Sequence, residues 1–374
     1  MTDRILVDLL GFTGARGGTE TYARELLPRL AARMPGTAFV GVTNRAGARA
    51  VRAFFPGDMI VQSRNDGSPR DWAVAATTTL TRTAESVGAD LIWSTANFGP
   101  LTRGRIPRVV TVHDVIYRDV PGQLSQRVSR LITAQLVEHT ARSATRVITV
   151  SEAAASSIAD ALHIPRQRIT VVHNGVTPPI TAVSAERARA TVGASATRAI
   201  VLSTGNRMPH KNLSGLLQAV ATIEPSARPQ LVLPGGGDND PLGREVKSLG
   251  LESDVLLPGW VADDVLAGLY EAASVYACPS LVEGFGLPVL DALMHGCPVL
   301  ANDIPVLREV GGSVATYADA RRPETFGRAL SDLLARAAEP GVRERRREWA
   351  AQFSWDHAAE ATAAVLRASR RPLR

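Results

Sequence analysis

"SVYACPSLVEGFGLPVLDALMHGCPVLAND", residues 274–303, changes its period twice within thirty positions. "SVYACPS" is a short apolar run ending in proline and serine, the composition of a buried strand at its carboxyl end. "LVEGFGLP" carries two glycines and a proline, which is turn chemistry. Leu287–His295 has helical spacing, with Pro288 at a first-turn position that tolerates it. "CPVLAND" is again a continuous apolar run. Strand, turn, helix and strand in that order form a parallel crossover unit.

The same habit extends along the chain. "RILVDLL", "AFVGVT", "DMIVQS", "DLIWST", "RVVTVHD", "RVITVS" and "RITVVHNGV" occupy the first half, and "AIVLSTG", "QLVLPGG", "DVLLPGW", "SVYACPS", "CPVLAND" and "SVATYA" the second. Between them stand helical patterns such as Thr19–Arg33 and Gln123–Arg142. Apolar strands without alternation indicate parallel sheets covered on both faces, so the fold class is α/β with two doubly wound domains. The boundary falls in "NGVTPPITAVSAERARATVGASATR", between Val176 and Arg198, where Pro178 and Pro179 interrupt regular structure. The domains are then residues 1–178 and 179–352, followed by a terminal amphipathic helix over 353–374.

Composition narrows the function classes. The 374 residues are 45% hydrophobic with an ordinary charged fraction, as expected of a folded chain long enough for two cores. The two cysteines, Cys278 and Cys297, lie in apolar runs and read as buried core thiols in a reducing compartment, here the cytoplasm. No apolar run reaches the length of a membrane-spanning helix, and Asp8 interrupts the amino-terminal one. Residues 1–180 carry 21 basic and 14 acidic side chains and residues 181–374 carry 21 and 22, so the whole +6 charge comes from the first half. Scattered arginines without aromatic interleaving argue against nucleic acid. They are compatible with a phosphate-bearing substrate or with peripheral contact at the inner, anionic face of a membrane. Of the 42 basic residues only Lys211 and Lys247 are lysine, which singles out Lys211 in its loop.

Ligands of doubly wound sheets bind beyond the carboxyl ends of the strands. Four stretches stand there. "GFTGARGGTETYARELL" brings Gly14, Gly17 and Gly18 to a helix start, where backbone N–H groups can meet an anion, although an ordinary loop reads the same way. His113 and Asp114 end the fifth strand, either facing a cleft or as a core histidine beside a capping aspartate. "STGNRMPHKNL" gathers Arg207, His210 and Lys211 before a helix. Glu283, Gly284 and Gly286 precede the Leu287 helix, and Asp291 lies one turn into it. Acids for hydroxyl groups beside cations for phosphates describe a nucleotide-sugar site. Asp238 and Asp240 in "GGGDNDPLG" form an Asp-x-Asp pair that reads as turn chemistry, with no metal expected.

"GGTETYARELL", "VHNGV", "GNRMPHKN" and "EGFGLPVLDALMHGCPVLAND", in that order along nearly the whole chain, resemble the retaining glycosyltransferases of family 4. That resemblance implies the GT-B fold, two facing Rossmann-like domains with a last helix crossing back to the first. It implies a hexosyl transfer from a nucleotide sugar to an acceptor hydroxyl of a sugar, lipid-linked or small-molecule acceptor. Retention at the anomeric carbon is implied too, with no metal and no cofactor other than the donor itself. By the same resemblance Glu283 holds donor-sugar hydroxyls, Arg207 and Lys211 hold the diphosphate, and His113 contacts the transferred sugar. Gly17 and Gly18 lie against the diphosphate. Gly284, Phe285, Gly286 and Leu287 offer backbone to the donor, and Trp260 and Val261 stand where the family reads the base. Asp291 takes the place of the family's second acid, usually glutamate, on the ribose. The "RMPHKN" form resembles mannosyltransferases using GDP-mannose more than the glucosyl branch. A nucleotide-sugar epimerase of the same fold and a non-catalytic nucleotide-sugar or polysaccharide-binding protein are the alternatives.

Overall fold

The computed structural model describes residues 3–14, 17–62, 69–101, 104–116, 124–177, 183–237, 239–336 and 341–370. Asp238, Pro178 and Pro179 lie outside them. Two compact units are formed, Met1–Gly175 with Ser354–Arg374, and Val176–Phe353.

The first unit holds a seven-stranded sheet of β1 (Asp3–Leu9), β2 (Thr37–Asn44), β3 (Asp58–Gln62), β4 (Leu91–Ser94), β5 (Arg108–Thr111), β6 (Arg146–Thr149) and β7 (Ile169–Val171). Their order is β3-β2-β1-β4-β5-β6-β7, and every pairing is parallel. The second unit holds β8 (Ile200–Leu202), β9 (Gln230–Val232), β10 (Val255–Leu256), β11 (Val275–Cys278), β12 (Val299–Asn302) and β13 (Thr316–Ala318). Here the order is β10-β9-β8-β11-β12-β13, again all parallel. Each of these strands coincides with an apolar run of the sequence. The central ones are buried along their length, which is why their hydrophobicity runs on without alternation.

Both sheets reverse their winding once, between β1 and β4 and between β8 and β11. Such switch points leave a crevice at the strands' carboxyl ends because successive crossover helices go to opposite faces. Asp8 and Ser94 are register partners at the first, and the loops following Leu202 and Cys278 flank the second.

The helix Gly18–Arg33 seats Tyr22, Leu26, Leu27 and Leu30 on the first sheet, all fully buried. Burying each leucine stabilises the unit by about 1.5–3 kcal/mol relative to exposure. The terminal helix Trp355–Ser369 packs beside it through Ala358, Ala359 and Ala363, whose small side chains permit close approach. Trp355 meets the Tyr22 ring at 6.3 Å between centroids. Arg33 pairs with Asp356 at 2.6 Å, and Arg370 pairs with Asp3. In the second unit the core gathers Leu216, Leu217, Leu231, Leu300, Phe326 and Leu330 around the sheet. Cys278 and Cys297 are buried free thiols, and burial pushes them up to about 11 and about 12 respectively. Among the described residues no helix is long and apolar enough to cross a membrane.

Candidate active site

In the second unit the loop after β8 turns through a short 3-10 helix, Pro209–Lys211, closed by Asn212 in the left-handed conformation. The Asn212 amide donates to the Ala320 carbonyl at 2.9 Å, and the Leu281 N–H donates to the His210 carbonyl at 2.8 Å. These bonds tie the lysine loop to the loop after β11. Asn302 fixes the latter from β12, donating to the Ser280 carbonyl at 2.9 Å. The result is a direct ion pair, Lys211 Nζ to Glu283 Oε1 at 2.6 Å, both side chains largely buried. The only lysine read as special and the first acid of the motif are thus brought together.

Beyond Glu283 the chain makes the turn that starts Leu287–Met294. Gly286 caps this helix at φ 103°, a left-handed value that favours glycine, and a Cβ there would stand 2.9 Å from Leu307. No side chain caps the helix, so its amino end presents backbone polarity rather than a side-chain acceptor. Phe285 is buried edge-on against Phe353 at 5.9 Å and 71°, so its ring anchors the turn. Gly284 is buried beside it, and Leu287 and Asp291 are half-buried. Asp291 lies close enough to Tyr270 to help burial raise that phenol.

Arg207 differs from the sequence expectation. Its side chain is 8% exposed, and all five of its N–H groups have protein acceptors. Nε reaches Asp240 Oδ1 and Oδ2 at 3.1 and 3.0 Å, and Nη2 reaches Asp240 Oδ2 at 2.6 Å and the Leu233 carbonyl at 2.7 Å. Nη1 donates to the carbonyls of Gly205 and Pro234 at 3.1 and 3.3 Å. The guanidinium therefore joins the ends of β8 and β9 instead of standing open. Asp240 gains a second role with it. Read as turn chemistry, it does accept the Leu242 N–H two residues on at 3.0 Å, and its side chain, 5% exposed, is in addition the counter-charge of Arg207. Proximity in space, 33 residues apart in sequence, left no local signal.

Val261 is half-buried and Trp260 is 62% exposed, in a loop held by the Gly235 N–H donating to the Gly259 carbonyl at 2.7 Å. The indole is one of six large apolar side chains exposed among the described residues.

In the first unit Gly17 precedes the helix Gly18–Arg33 with an extended backbone, and no described atom lies within 4 Å of where its Cβ would be. The fold itself thus makes no demand for glycine at 17. Glu20 staples the preceding loop to the helix, accepting from the Thr13 and Gly14 N–H groups at 2.8 and 3.1 Å. That acid was visible in "GGTETY" but not singled out.

His113 follows β5 and is 9% exposed, edge-on to Tyr22 at 4.8 Å and 89°. Its N–H donates to Asn97 Oδ1 at 2.9 Å, and its Nε2 lies 2.9 Å from the Thr95 carbonyl. A carbonyl only accepts, so Nε2 carries the proton and Nδ1 keeps a lone pair in the neutral ring. Burial pushes the imidazole below its ordinary range against the raising effect of that carbonyl, favouring the neutral form. Asp114 caps the Ile116 N–H at 3.2 Å. The buried histidine and capping aspartate of the bland reading are both present, while the orientation of His113 is specific.

Asp8 was missed as a site residue. It ends β1 at the switch point, 4% exposed, with Oδ1 accepting from the Leu10 N–H at 3.0 Å. Burial raises its carboxyl to about 7, against the lowering effects of Leu10 and Ser94. An acid inside an apolar strand was the available signal.

With this geometry in place, comparisons with known proteins converge. The family described as "Glycosyl transferases group 1" matches residues 184–352, and "Glycosyltransferase Family 4" matches residues 16–178. The chain is 35% identical over 164 residues to O-antigen chain mannosyltransferase B of Escherichia coli, covering 42% of each protein. It is 30% identical over 279 residues to MMP alpha-(1->4)-mannosyltransferase of Mycolicibacterium hassiacum, covering 69% of this chain and 64% of that one. The matched part thus spans less than two thirds of either relative. Among solved structures, Anabaena HepE in complex with UDP-glucose superposes with a TM-score of 0.74 at 19% identity, over 98% of this chain and 99% of that one. At that identity the likeness concerns the fold.

Proposed function

The chain belongs to glycosyltransferase family 4, in its GT-B architecture, and on that premise we propose that it is a retaining hexosyltransferase using a nucleotide-sugar donor. The observation that carries this reading is the Lys211–Glu283 contact at the second unit's switch point, beside the amino end of the Leu287 helix. A cation and a helix start suit a diphosphate, and an acid suits the hydroxyls of the attached sugar.

In the proposed reaction the bond from the anomeric carbon to the diphosphate oxygen breaks while a bond to the acceptor oxygen forms on the same face. The hydroxyl proton passes to a phosphate oxygen, which gains negative charge as the sugar leaves. Lys211 and the helix amino terminus stabilise that charge, and they act most strongly in the transition state because they are already oriented. Glu283 holds the sugar's hydroxyls, and the Nδ1 lone pair of His113 accepts from a hydroxyl of the transferred sugar. Asp291 takes the ribose, and the Trp260–Val261 loop takes the base. Positive charge from the protein makes a divalent ion unnecessary in this scheme.

We favour a mannosyl group from GDP-mannose, supported by the "RMPHKN" loop and by relatives named mannosyltransferases. The test is turnover with a panel including GDP-mannose and UDP-glucose, with and without EDTA, and with the product anomer read by NMR. Transfer with retention in EDTA supports the proposal. Activity that dies with chelator and revives with manganese overturns the mechanism, and a donor epimerised without acceptor overturns the reaction class.

A further inference from the structure

Arg207 has no N–H left for a phosphate unless an acceptor it already holds gives way. Three of its acceptors are backbone carbonyls of Gly205, Leu233 and Pro234, fixed by the ends of the strands. The fourth, Asp240, is a side chain with the charge and the paired oxygens of a phosphate. Gly236 leaves room for this pair, since a Cβ there would stand 1.7 Å from Asp240 Oδ2 and 2.9 Å from Arg207 Nε. The Asp240 carboxylate also has a second attachment, accepting the Leu242 N–H at 3.0 Å through Oδ1, which remains when the guanidinium turns away.

We propose that Asp240 is an exchangeable counter-anion that competes with the donor diphosphate for Arg207 and thereby sets the affinity of the donor half. This rests on the reading of the second unit as the nucleotide-sugar half. The physical logic is a substitution of like for like. A buried guanidinium is costly without a negative partner, so it is never released into an apolar environment: one anion hands it to the next. A bound diphosphate forms bidentate bonds to Arg207 and leaves Asp240 with Leu242. The uncompensated part of the aspartate's charge then subtracts from donor affinity, which favours release of the nucleoside diphosphate after transfer. Lys211 and Glu283 form the parallel pair, so each of these two cations is matched internally by an acid.

The test uses GDP, UDP and inorganic pyrophosphate as probes, titrated calorimetrically into the full chain. Asp240→Asn keeps the shape and the acceptor for Leu242 while removing the competing charge. It should tighten diphosphate binding by about tenfold, the scale of a modest coupling between two ligands of one group. The gain should vanish in the Arg207→Ala, Asp240→Asn double variant. Unchanged or weaker binding in Asp240→Asn makes the pair a permanent strut and overturns the proposal. Lys211→Ala separates the two readings: binding that falls in Lys211→Ala but ignores Asp240→Asn defeats the exchange alone, whereas a wild-type chain that binds none of the probes defeats both. Should Asp240→Asn fail to fold, the Arg207 Nε–H resonance of the native protein decides, assigned through Arg207→Lys. A shift on saturation with pyrophosphate supports exchange, and an unmoved resonance overturns it.

Discussion

At the strand ends of the second unit, charges stand in contact pairs, Arg207 with Asp240 and Lys211 with Glu283. At those of the first unit, two ionisable groups face neutral partners: the Asp8 carboxyl beside Ser94 and the Leu10 N–H, and the His113 ring between the Thr95 carbonyl and Tyr22. The two sheets are built alike, so the difference lies in what each switch point is equipped to meet. Paired charges offset each other's burial and suit a polyanion. Unpaired ones are driven by desolvation toward the neutral form and suit hydroxyl groups, which exchange hydrogen bonds without bringing charge.

The sharpest way to break this contrast is Glu283→Gln. If Glu283 serves sugar hydroxyls whose contacts tighten in the transition state, turnover falls by about 10²–10³. Affinity for nucleoside diphosphate should not fall with it, because Lys211 is released from its acid. A joint loss of turnover and diphosphate affinity, measured by kinetics and calorimetry, would make Glu283 a structural partner of Lys211 instead. Lys211→Ala comes next and should weaken diphosphate binding by about 1.5–3 kcal/mol, the range for hydrogen bonds to charged groups; calorimetry showing normal affinity would remove Lys211 from the clamp.

The first unit is probed through pH. The folded carboxyl of Asp8, raised to about 7, exceeds its ordinary value of 3.8. The folded state therefore binds the proton more tightly, and stability falls as pH rises between those two values. Relative to Asp8→Asn, the wild type should lose about 2 kcal/mol of unfolding free energy between pH 5 and pH 8. Parallel denaturation curves for the two proteins across that range would show that Asp8 is charged and paired after all, erasing the contrast. The smallest effect expected is on folding by Gly17→Ala: unfolding free energy within about 0.5 kcal/mol of wild type, as at an open surface site. Its diphosphate affinity should drop if Gly17 lies against the diphosphate, as the family resemblance implies. Calorimetry finding both unchanged would leave Gly17 an ordinary loop residue.

Much of the architecture was legible because parallel strands and crossover helices write different periods, as residues 274–303 do. The helix starts at Gly18 and Leu287 were equally readable from their glycines and Pro288. The pairs were not. Lys211 meets Glu283 only because β8 and β11 are neighbours at the switch point, and Arg207 meets Asp240 only because β9 lies on the other side of β8. Sheet order is a global property that no local window contains. The tautomer of His113 was illegible for another reason, since it is set by a backbone carbonyl, and every residue has one.

The course of the chain has a consequence for the order in which the protein is made. It leaves the first unit at Gly175 and returns at Ser354, and the Val176 N–H bonds to the Phe353 carbonyl at 2.9 Å, so exit and re-entry lie side by side. At the re-entry a Cβ on Gly175 would collide with the Trp355 backbone at 2.0 Å. On the ribosome, residues 1–175 emerge before the helix whose Trp355 packs against Tyr22. The second unit is contiguous and has all its strands by Ala318, before the first unit's last helix is made. The first unit is thus completed only after the second, its flank at Tyr22 awaiting residues 354–374.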